Sequence, residues 1–523
     1  MTSEAAPTDS SPPKGIALAA LDRTPLRIVL GRVTALSLPV VFENLMQTAT
    51  LLVDALMIAQ LPNNGALLAA VAMVGIAYWR LTNVAGATQF GVGAYVARRW
   101  GEDDGEGAGK ALAHGMVLGV VSGGILLAAM YFVAPFLFRM LQGGGTAVDP
   151  VAQEQATEYF RIVLLALPCR MAMINVAAAM RAAGDTRTPL AVTVMMVVLN
   201  VILNSMLIYG KWGAPAMGMR GAAISTAICF TAGAAVLLLV AWRGVAPARF
   251  SSMQDQRLPS SDLPTVIRGW GTSIAETMVV LVKGVRDRPL PRQSAPLHMD
   301  RRGLRLWLPG VTPKILRVSG PALGEQILAS IGFLPYFAMV GSFGTAVLAA
   351  HSATVRVESM AYMAGYAITA ATAALVGQAM GAGRLPLAWR LFRINTWLAI
   401  AMLGGAGLMF MVIPEALLWL FRLEPEVAEI GYGLLAIVGI EQVFIATTMT
   451  LAGGLRGAGY TKAPFLAELC GTVIVRLGLG VFLAWGLGLG FWGLYWATVA
   501  DWATRTTVLL IAVLRGKWQT TEV

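Results

Sequence analysis

Asp54 stands in "LLVDALMIAQ", part of an apolar run that begins near Val33. A carboxylate there is costly if the run crosses a bilayer, and acids inside membrane helices mark partners or ion pathways. Three further polar side chains fall at a similar depth. Counting back from Pro62 places Asp54 about 12 Å below the outer edge, at the helical rise per residue. Asn204 counts back from Lys211 to about 10 Å and Asn200 to about 16 Å, while Thr226 counts forward from Arg220 to about 9 Å. Asn200 and Asn204 are four apart, so they share a helix face. One carboxylate, two amide oxygens, a hydroxyl and the carbonyl of Ala222 would form an all-oxygen site. Such ligands suit Na⁺, and the same carboxylate can instead take a proton. The blander reading is a structural hydrogen bond between Asp54 and Asn200.

The elements that must position these groups are membrane helices. Hydrophobic residues make up 57% of the 523 and charged residues 13%, against about a quarter charged in an ordinary soluble chain. Gly, Pro and charge divide the chain into twelve spans: 33–59, 66–97, 111–138, 157–180, 189–210, 219–242, 315–340, 345–378, 391–413, 427–454, 464–486 and 490–514. Each is long enough to cross a bilayer. The second and eighth exceed the need, which predicts tilting or a kink, and Gly86, Gly91 and Gly93 suit a bend in the second. The first 26 residues are polar and basic and show no cleavable signal.

Lys and Arg orient the spans. They crowd the tail (Lys14, Arg23, Arg27, Arg32) and the even-numbered loops (Arg98, Arg99, Lys110, Arg181, Arg187, Arg384, Arg390, Arg456, Lys462). The positive-inside rule puts both termini in the cytoplasm of a multi-pass inner-membrane protein. The net charge of +11 does not point to nucleic acid. Residues 243–317 carry 13 Lys/Arg against 5 Asp/Glu, so most of the excess lies in one cytoplasmic linker, read as topogenic or lipid-facing charge. Within it, 273–285 could form a short interfacial helix. The three cysteines lie in apolar runs without metal or disulfide spacing, and no acid–His–Cys constellation points to an enzyme.

The chain also repeats itself. "LPVVFENL" (38–45) returns as "GPALGEQI" (320–327), and "AYVARRWGEDD" (94–104) as "ALVGQAMGAGR" (374–384). "MRAAGDTRTP" (180–189) returns as "LRGAGYTKAP" (455–464), and "GMRGAAIST" (218–226) as "GFWGLYWAT" (490–498). Six spans per repeat is an even number, so the halves are parallel repeats related by an axis along the membrane normal. This predicts an all-α membrane protein divided into a tail (1–32), an N-lobe (33–242), a basic linker (243–314), a C-lobe (315–514) and a second tail (515–523). Two such lobes facing one another suit alternating access.

Those motifs, together with "LPVVFENLMQTATLLVDALMIAQL", "LNVILNSMLIYGKWGAPAMGMRGAAIST" and "VLAAHSATVRVESM", resemble the multidrug and toxic compound extrusion (MATE) transporters from about Leu36 to Trp518. The resemblance implies V-shaped lobes around a central cleft. It also implies antiport: export of amphipathic, often cationic compounds against inward H⁺ or Na⁺. Asp54, Asn200, Asn204, Ala222 and Thr226 match the family's N-lobe ion site, with one departure. Many members have Asn-x-x-x-Asp where this chain has Asn200 and Asn204. Losing that carboxylate weakens a Na⁺ site and favours H⁺. In the C-lobe, Tyr460 stands where one branch of the family has an acid, and Glu325 lies too close to Pro321 to match another. A cation site there is in doubt.

The repeat-related Glu43 and Glu325 are expected to make buried hydrogen bonds to neighbouring helices. Arg181 and Arg456 each follow a helix and are expected to bond its last carbonyls. Gly184 and Gly459 allow the turn, and Pro189 and Pro464 start the next helix. Asp501 and Arg505, four apart, read as an ion pair. Phe42, Met46, Tyr78, Tyr336 and Met339 are candidates for cleft lining, with Glu441 and Glu468 as cleft acids. The expected partners are the bilayer and small amphipathic molecules, with no nucleic acid. The chain is expected to be monomeric, to need no cofactor beyond H⁺ or Na⁺, and to hold no metal apart from such a Na⁺. The rival function is a flippase or exporter of a lipid or lipid-linked phosphate compound, with Arg80, Arg170 and Arg356 holding the phosphate.

Overall fold

Apolar segments with no water to bond their backbone must satisfy their own amides, so they fold as helices. A computed structural model describes residues 22, 24–62, 64–142, 150–244 and 297–523, and no β-strand occurs among them. The first half holds α1 (Leu26–Ile58), α2 (Asn64–Ala85), α3 (Thr88–Gly101), α4 (Gly105–Gln142), α5 (Pro150–Leu165), α6 (Leu167–Ala183), α7 (Arg187–Tyr209) and α8 (Met219–Arg243). The second holds α9 (Thr312–Gly341), α10 (Thr345–Gly381), α11 (Leu385–Ala399), α12 (Gly405–Val412), α13 (Pro414–Leu418), α14 (Pro425–Gly457), α15 (Lys462–Glu468) and α16 (Phe491–Arg515). Eleven helical spans among the described residues are long and apolar enough to cross a bilayer. Counting α5 and α6, bent by 54°, as one span makes twelve.

Several expected limits shift. The bend in the second span is a full break at Gly86, separating α2 from α3. The fourth span turns sharply at Ala166, where Pro168 in the first turn of α6 has no amide hydrogen to give. The eighth has no break: α10 runs for 37 residues, about 56 Å at the helical rise, and so exceeds the bilayer core of about 30 Å. The eleventh continues α15 through a π-helical stretch, Leu469–Leu479.

The two halves interlock at the end where the repeated arginine loops lie, here called the basic end. Val29 and Val33 of α1 are buried among Leu375 and Val376 of α10 and Leu387 and Phe392 of α11, in the other half. Reciprocally, Ile315 and Val318 of α9 are buried among Tyr95 and Ala97 of α3 and Ala182 of α6. Gly101 at the end of α3 lies against the Gln378 backbone, and Gly381 at the end of α10 against the Arg98 backbone. Any side chain at either glycine would force the helices apart, and small residues are what close helix approach in a membrane requires. Gln378 Nε2 donates to the Ala182 carbonyl at 2.6 Å, tying the halves directly.

The segments expected to be simple tails are partly built in. α1 begins at Leu26, not Val33, and Asp22 before it accepts from Arg384 and Arg390, each at 3.2 Å. After α16, Trp518 is buried beside Trp389 and Phe392, and Arg98 Nη1 donates to the Thr521 carbonyl at 2.5 Å. Of the basic linker, residues 297–311 pack along the first half. The proposed interfacial helix at 273–285 lies outside the described residues.

Candidate functional site

Asp54 lies on α1 one turn before its end, and its carboxylate is buried against α7 and α8. Asn204 Nδ2 donates to Asp54 Oδ1 at 2.5 Å and Thr226 Oγ1 to Asp54 Oδ2 at 3.3 Å. Asn204 Nδ2 also reaches Asn200 Oδ1 at 3.2 Å. The four side chains grouped by depth in the sequence are thus brought together. Every hydrogen-bond partner of Asp54 is neutral. A charged carboxylate buried without a cation is strongly disfavoured, so this acid needs a proton or a bound cation.

Ser225 was missed by the sequence reading. Its hydroxyl hydrogen-bonds Asn204 Oδ1 and lies 2.9 Å from the Ala222 carbonyl. That carbonyl, expected as an ion ligand, lies beside the Ser225 hydroxyl, whose one hydrogen can go to it or to Asn204 Oδ1. Ser225 stands beside Thr226 but points one helical step round, and only its burial shows that it belongs to the set. Asn200 Nδ2 is buried with no partner, so one amide hydrogen-bond position at the site is unused.

The second half holds a larger acid cluster than expected. Glu358 of α10 lies within hydrogen-bonding reach of Glu441 and Gln442 of α14 and of Tyr362, and both acids are buried. The sequence did show both acids, but one-dimensional spacing could not show that α10 and α14 place them face to face. Glu468, expected as a cleft acid, is instead bonded to Arg505. Arg505 Nε also donates to Asp501 Oδ1 at 2.5 Å, and Arg476 pairs with Asp501 at 2.7 Å. Two buried acids, the buried Arg505 and the half-buried Arg476 thus form a charge-balanced network.

The repeated Arg-Gly loops take the same form twice. The Asp185 amide donates to the Met180 carbonyl at 2.9 Å and the Tyr460 amide to the Leu455 carbonyl at 2.8 Å. Gly184 (φ 100°) and Gly459 (φ 84°) occupy the left-handed position that such helix ends require. Pro189 and Pro464 fall in the first turns of α7 and α15. The arginine side chains differ from expectation. Arg181 Nη1 donates to Glu43 Oε1 at 3.1 Å and Arg456 pairs with Glu325, so each bonds an acid on the repeat-related helix rather than the terminal carbonyls. The Arg456 guanidinium also lies 4.8 Å from the ring centroid of Phe90, in the other half.

The cleft candidates divide. Phe42 is exposed, and Met46, Tyr78 and Met339 are half-buried, with Tyr78 stacked on Phe230. Tyr336 and Glu441 are buried inside the second half. Arg80 donates to the Ala329 carbonyl at 3.3 Å and lies over Trp79 and Phe333, and Arg170 donates to Gln47 at 3.3 Å and lies over Phe230.

The MatE family model matches residues 39–206 and again 321–482, so the two halves are matched separately, as the internal repeat requires. A probable multidrug resistance protein NorM from Thermotoga maritima is 25% identical over 492 residues, 92% of each chain. Another from Pseudomonas aeruginosa is 26% identical over 506 residues, 95% of this chain and 91% of that one. Among solved structures, a MATE transporter in a bent conformation aligns with a TM-score of 0.74 at 18% identity, covering 97% of this chain and 99% of that one. A MOP superfamily transporter from Pyrococcus furiosus aligns with a TM-score of 0.75 at 18% identity, covering 96% of this chain and all of that one.

Proposed function

The chain belongs to the MatE family of membrane transporters, and we propose from that premise that it exports amphipathic, often cationic compounds in exchange for protons. The relatives named as multidrug resistance proteins support a broad cargo. The observation that carries the coupling is Asp54, a buried acid on α1 with only neutral partners. Its neutralisation removes the cost of burial and lets α1 pack more closely on α7 and α8, giving two states whose balance the ion shifts.

The hydrogen-bond pattern favours H⁺ over Na⁺. Ser225 holds Asn204 Oδ1 and so turns the amide nitrogen, not the oxygen, toward Asp54. That arrangement suits an ionised carboxylate and offers Na⁺ one oxygen fewer. Once Asp54 takes a proton, both amides can turn over. Asn204 Oδ1 then accepts from the acid and from the idle Asn200 amide, Asn204 Nδ2 donates to Ser225, and Ser225 donates to Ala222. In everted vesicles, a proton uncoupler should collapse uptake of a cationic dye while Na⁺ removal leaves it intact. The reverse result would make Asp54, Asn200, Asn204 and Thr226 a sodium site.

Ser225→Ala removes one buried hydrogen bond from either setting. A loss of about 1 kcal/mol should slow proton-driven efflux several-fold, and Ser225→Thr, which keeps the hydroxyl, should restore most of it. Wild-type rates in the alanine variant would remove Ser225 from the coupling set.

The Lys/Arg bias orients the basic end to the cytoplasm. A cysteine introduced at Ser260 should then resist impermeant thiol reagents added outside intact cells and react after permeabilisation. Labelling in intact cells would reverse the orientation. The rival cargo, a lipid or lipid-linked phosphate compound, requires arginines free to hold phosphate; Arg80 and Arg170 are already engaged by carbonyl, amide and ring partners, which leaves the exposed Arg356. Movement of a phosphate headgroup but not of dyes by the purified protein would favour that cargo.

A further inference from the structure

The returning end of the linker, residues 297–311, is fixed to the first half rather than loosely draped. Leu297 and Met299 are buried in the first half's core. The Met299 amide donates to the Ala241 carbonyl at 3.1 Å and the Asp300 amide to the Gly109 carbonyl at 3.3 Å. His114 of α4 is hydrogen-bonded to the Arg305 carbonyl through Nδ1 at 3.0 Å and to Thr312 through Nε2 at 2.8 Å. His114 comes nine residues after the start of α4 at Gly105, about 14 Å along the helix. The strap therefore runs down the side of a membrane-spanning helix and reaches the level where that helix becomes apolar.

At that level its side chains sort by polarity. Leu306 and Trp307 are 69% and 57% exposed, although the backbone carrying them is held in place. Arg301, Arg302 and Arg305 flank them and are exposed too. Between the strap and the α3–α4 turn lies a cavity of about 510 Å³, into which Arg99, Lys110, Arg302 and Arg305 converge with Asp104 as its one acid. From outside the cavity lining, Glu102 pairs with Arg99 and Glu106 with Lys110 and, at 3.5 Å, with Arg302, while Asp104 within it lies 3.8 Å from Arg99. Arg305 has no acidic partner among the described residues. The Arg99 Nε is buried with no hydrogen-bond acceptor. The wall facing these cations is apolar, made by Leu308, Pro309 and Val311.

We propose that this cavity and the exposed strap beside it bind an anionic phospholipid of the leaflet at the basic end. The phosphate sits between Arg305, Arg302 and Arg99, and Leu306 and Trp307 enter the acyl region next to it. Both halves of the recognition are on one rigid surface: donors matched to a phosphate, and an aromatic side chain of the kind that settles at the membrane interface. The occupant follows from that pairing. A free anion would use the arginines but would leave Leu306 and Trp307 in water, whereas a zwitterionic lipid would cover the apolar side chains but bring no net charge. The site is separate from Asp54 and from the central cargo path, so it stands whether or not the proton reading holds.

The test uses the full chain purified in mild detergent and native mass spectrometry with phosphatidylglycerol and phosphatidylcholine of equal acyl composition. Wild type should retain phosphatidylglycerol in preference to phosphatidylcholine. R302Q/R305Q should lose that preference roughly thirtyfold, as expected for two arginines near a charged surface, with phosphatidylcholine retention unchanged. A second measurement guards against misfolding of the double variant. In nanodiscs, quenching of tryptophan fluorescence by brominated phosphatidylglycerol should exceed that by brominated phosphatidylcholine, and W307F should remove the difference. Equal retention by wild type and R302Q/R305Q would overturn the proposal. So would displacement of the lipid by excess inorganic phosphate without any contribution from Trp307, which would mark a free-anion site.

Discussion

Asp54→Asn should abolish efflux against a gradient while leaving a folded protein that still binds its cargo. The amide has the shape of the protonated acid but cannot release a proton, so the side chain is held in its neutral form throughout the cycle. Asn204 and Thr226, which contact both oxygens of the native carboxylate, can bond an amide in the same place. The cost to stability is therefore small, while the link between the proton gradient and the change of state is lost. In proteoliposomes the variant should bind a fluorescent cation as wild type does, yet fail to concentrate it when a pH gradient is imposed. Downhill exchange of labelled for unlabelled cargo should survive. Concentrative uptake at the wild-type rate would sink the mechanism.

Arg181→Ala should lower stability and transport together, and by a similar factor for every cargo. Glu43 is buried and its carboxylate is bonded by Arg181 through both oxygens, at 3.1 and 3.2 Å. Removing the arginine leaves an unpaired acid inside the protein, and such losses cost about 3–5 kcal/mol. The double variant Glu43→Gln, Arg181→Gln leaves no stranded charge and should regain part of that loss, with the difference read from thermal unfolding in detergent. Arg456→Ala should behave in the same sense, because Arg456 holds Glu325 on the repeat-related helix. A defect confined to one cargo would place Arg181 in the binding path instead.

Periodicity, charge and internal repetition were enough to read the spans, because each depends on properties local to a helix. Asp54, Asn204 and Thr226, which meet in the structure, share a depth that is legible because it is measured along single helices from their polar ends. What was not legible were the relations between helices. Nothing in the spacing of Glu358 and Glu441 shows that α10 and α14 bring them face to face. Arg181 and Arg456 looked like helix-end caps because the nearest acceptors in sequence are carbonyls, whereas packing supplied a carboxylate from a helix far away in the chain. Tyr336 and Glu441 were placed toward the cleft on composition alone, and rotation about the helix axis, which sets what faces inward, put both inside the second half.

The exchange of helix starts between the halves bears on how the protein is made. Val29 and Val33 leave the ribosome among the first apolar residues, yet Leu375 and Phe392, which bury them, are synthesised several hundred residues later. Domains emerging from synthesis ordinarily fold as units in order. Here the first six spans can insert, and most of α1 can find α7, but its opening turns must stay in lipid without their protein neighbours until α10 and α11 arrive. The start of α9 meets no such delay, because the surface formed by α3 and α6 is already in place. Assembly is thus asymmetric in time although the repeats are symmetric in space, and the opening turns of α1 reach their final packing only once α10 and α11 have been made.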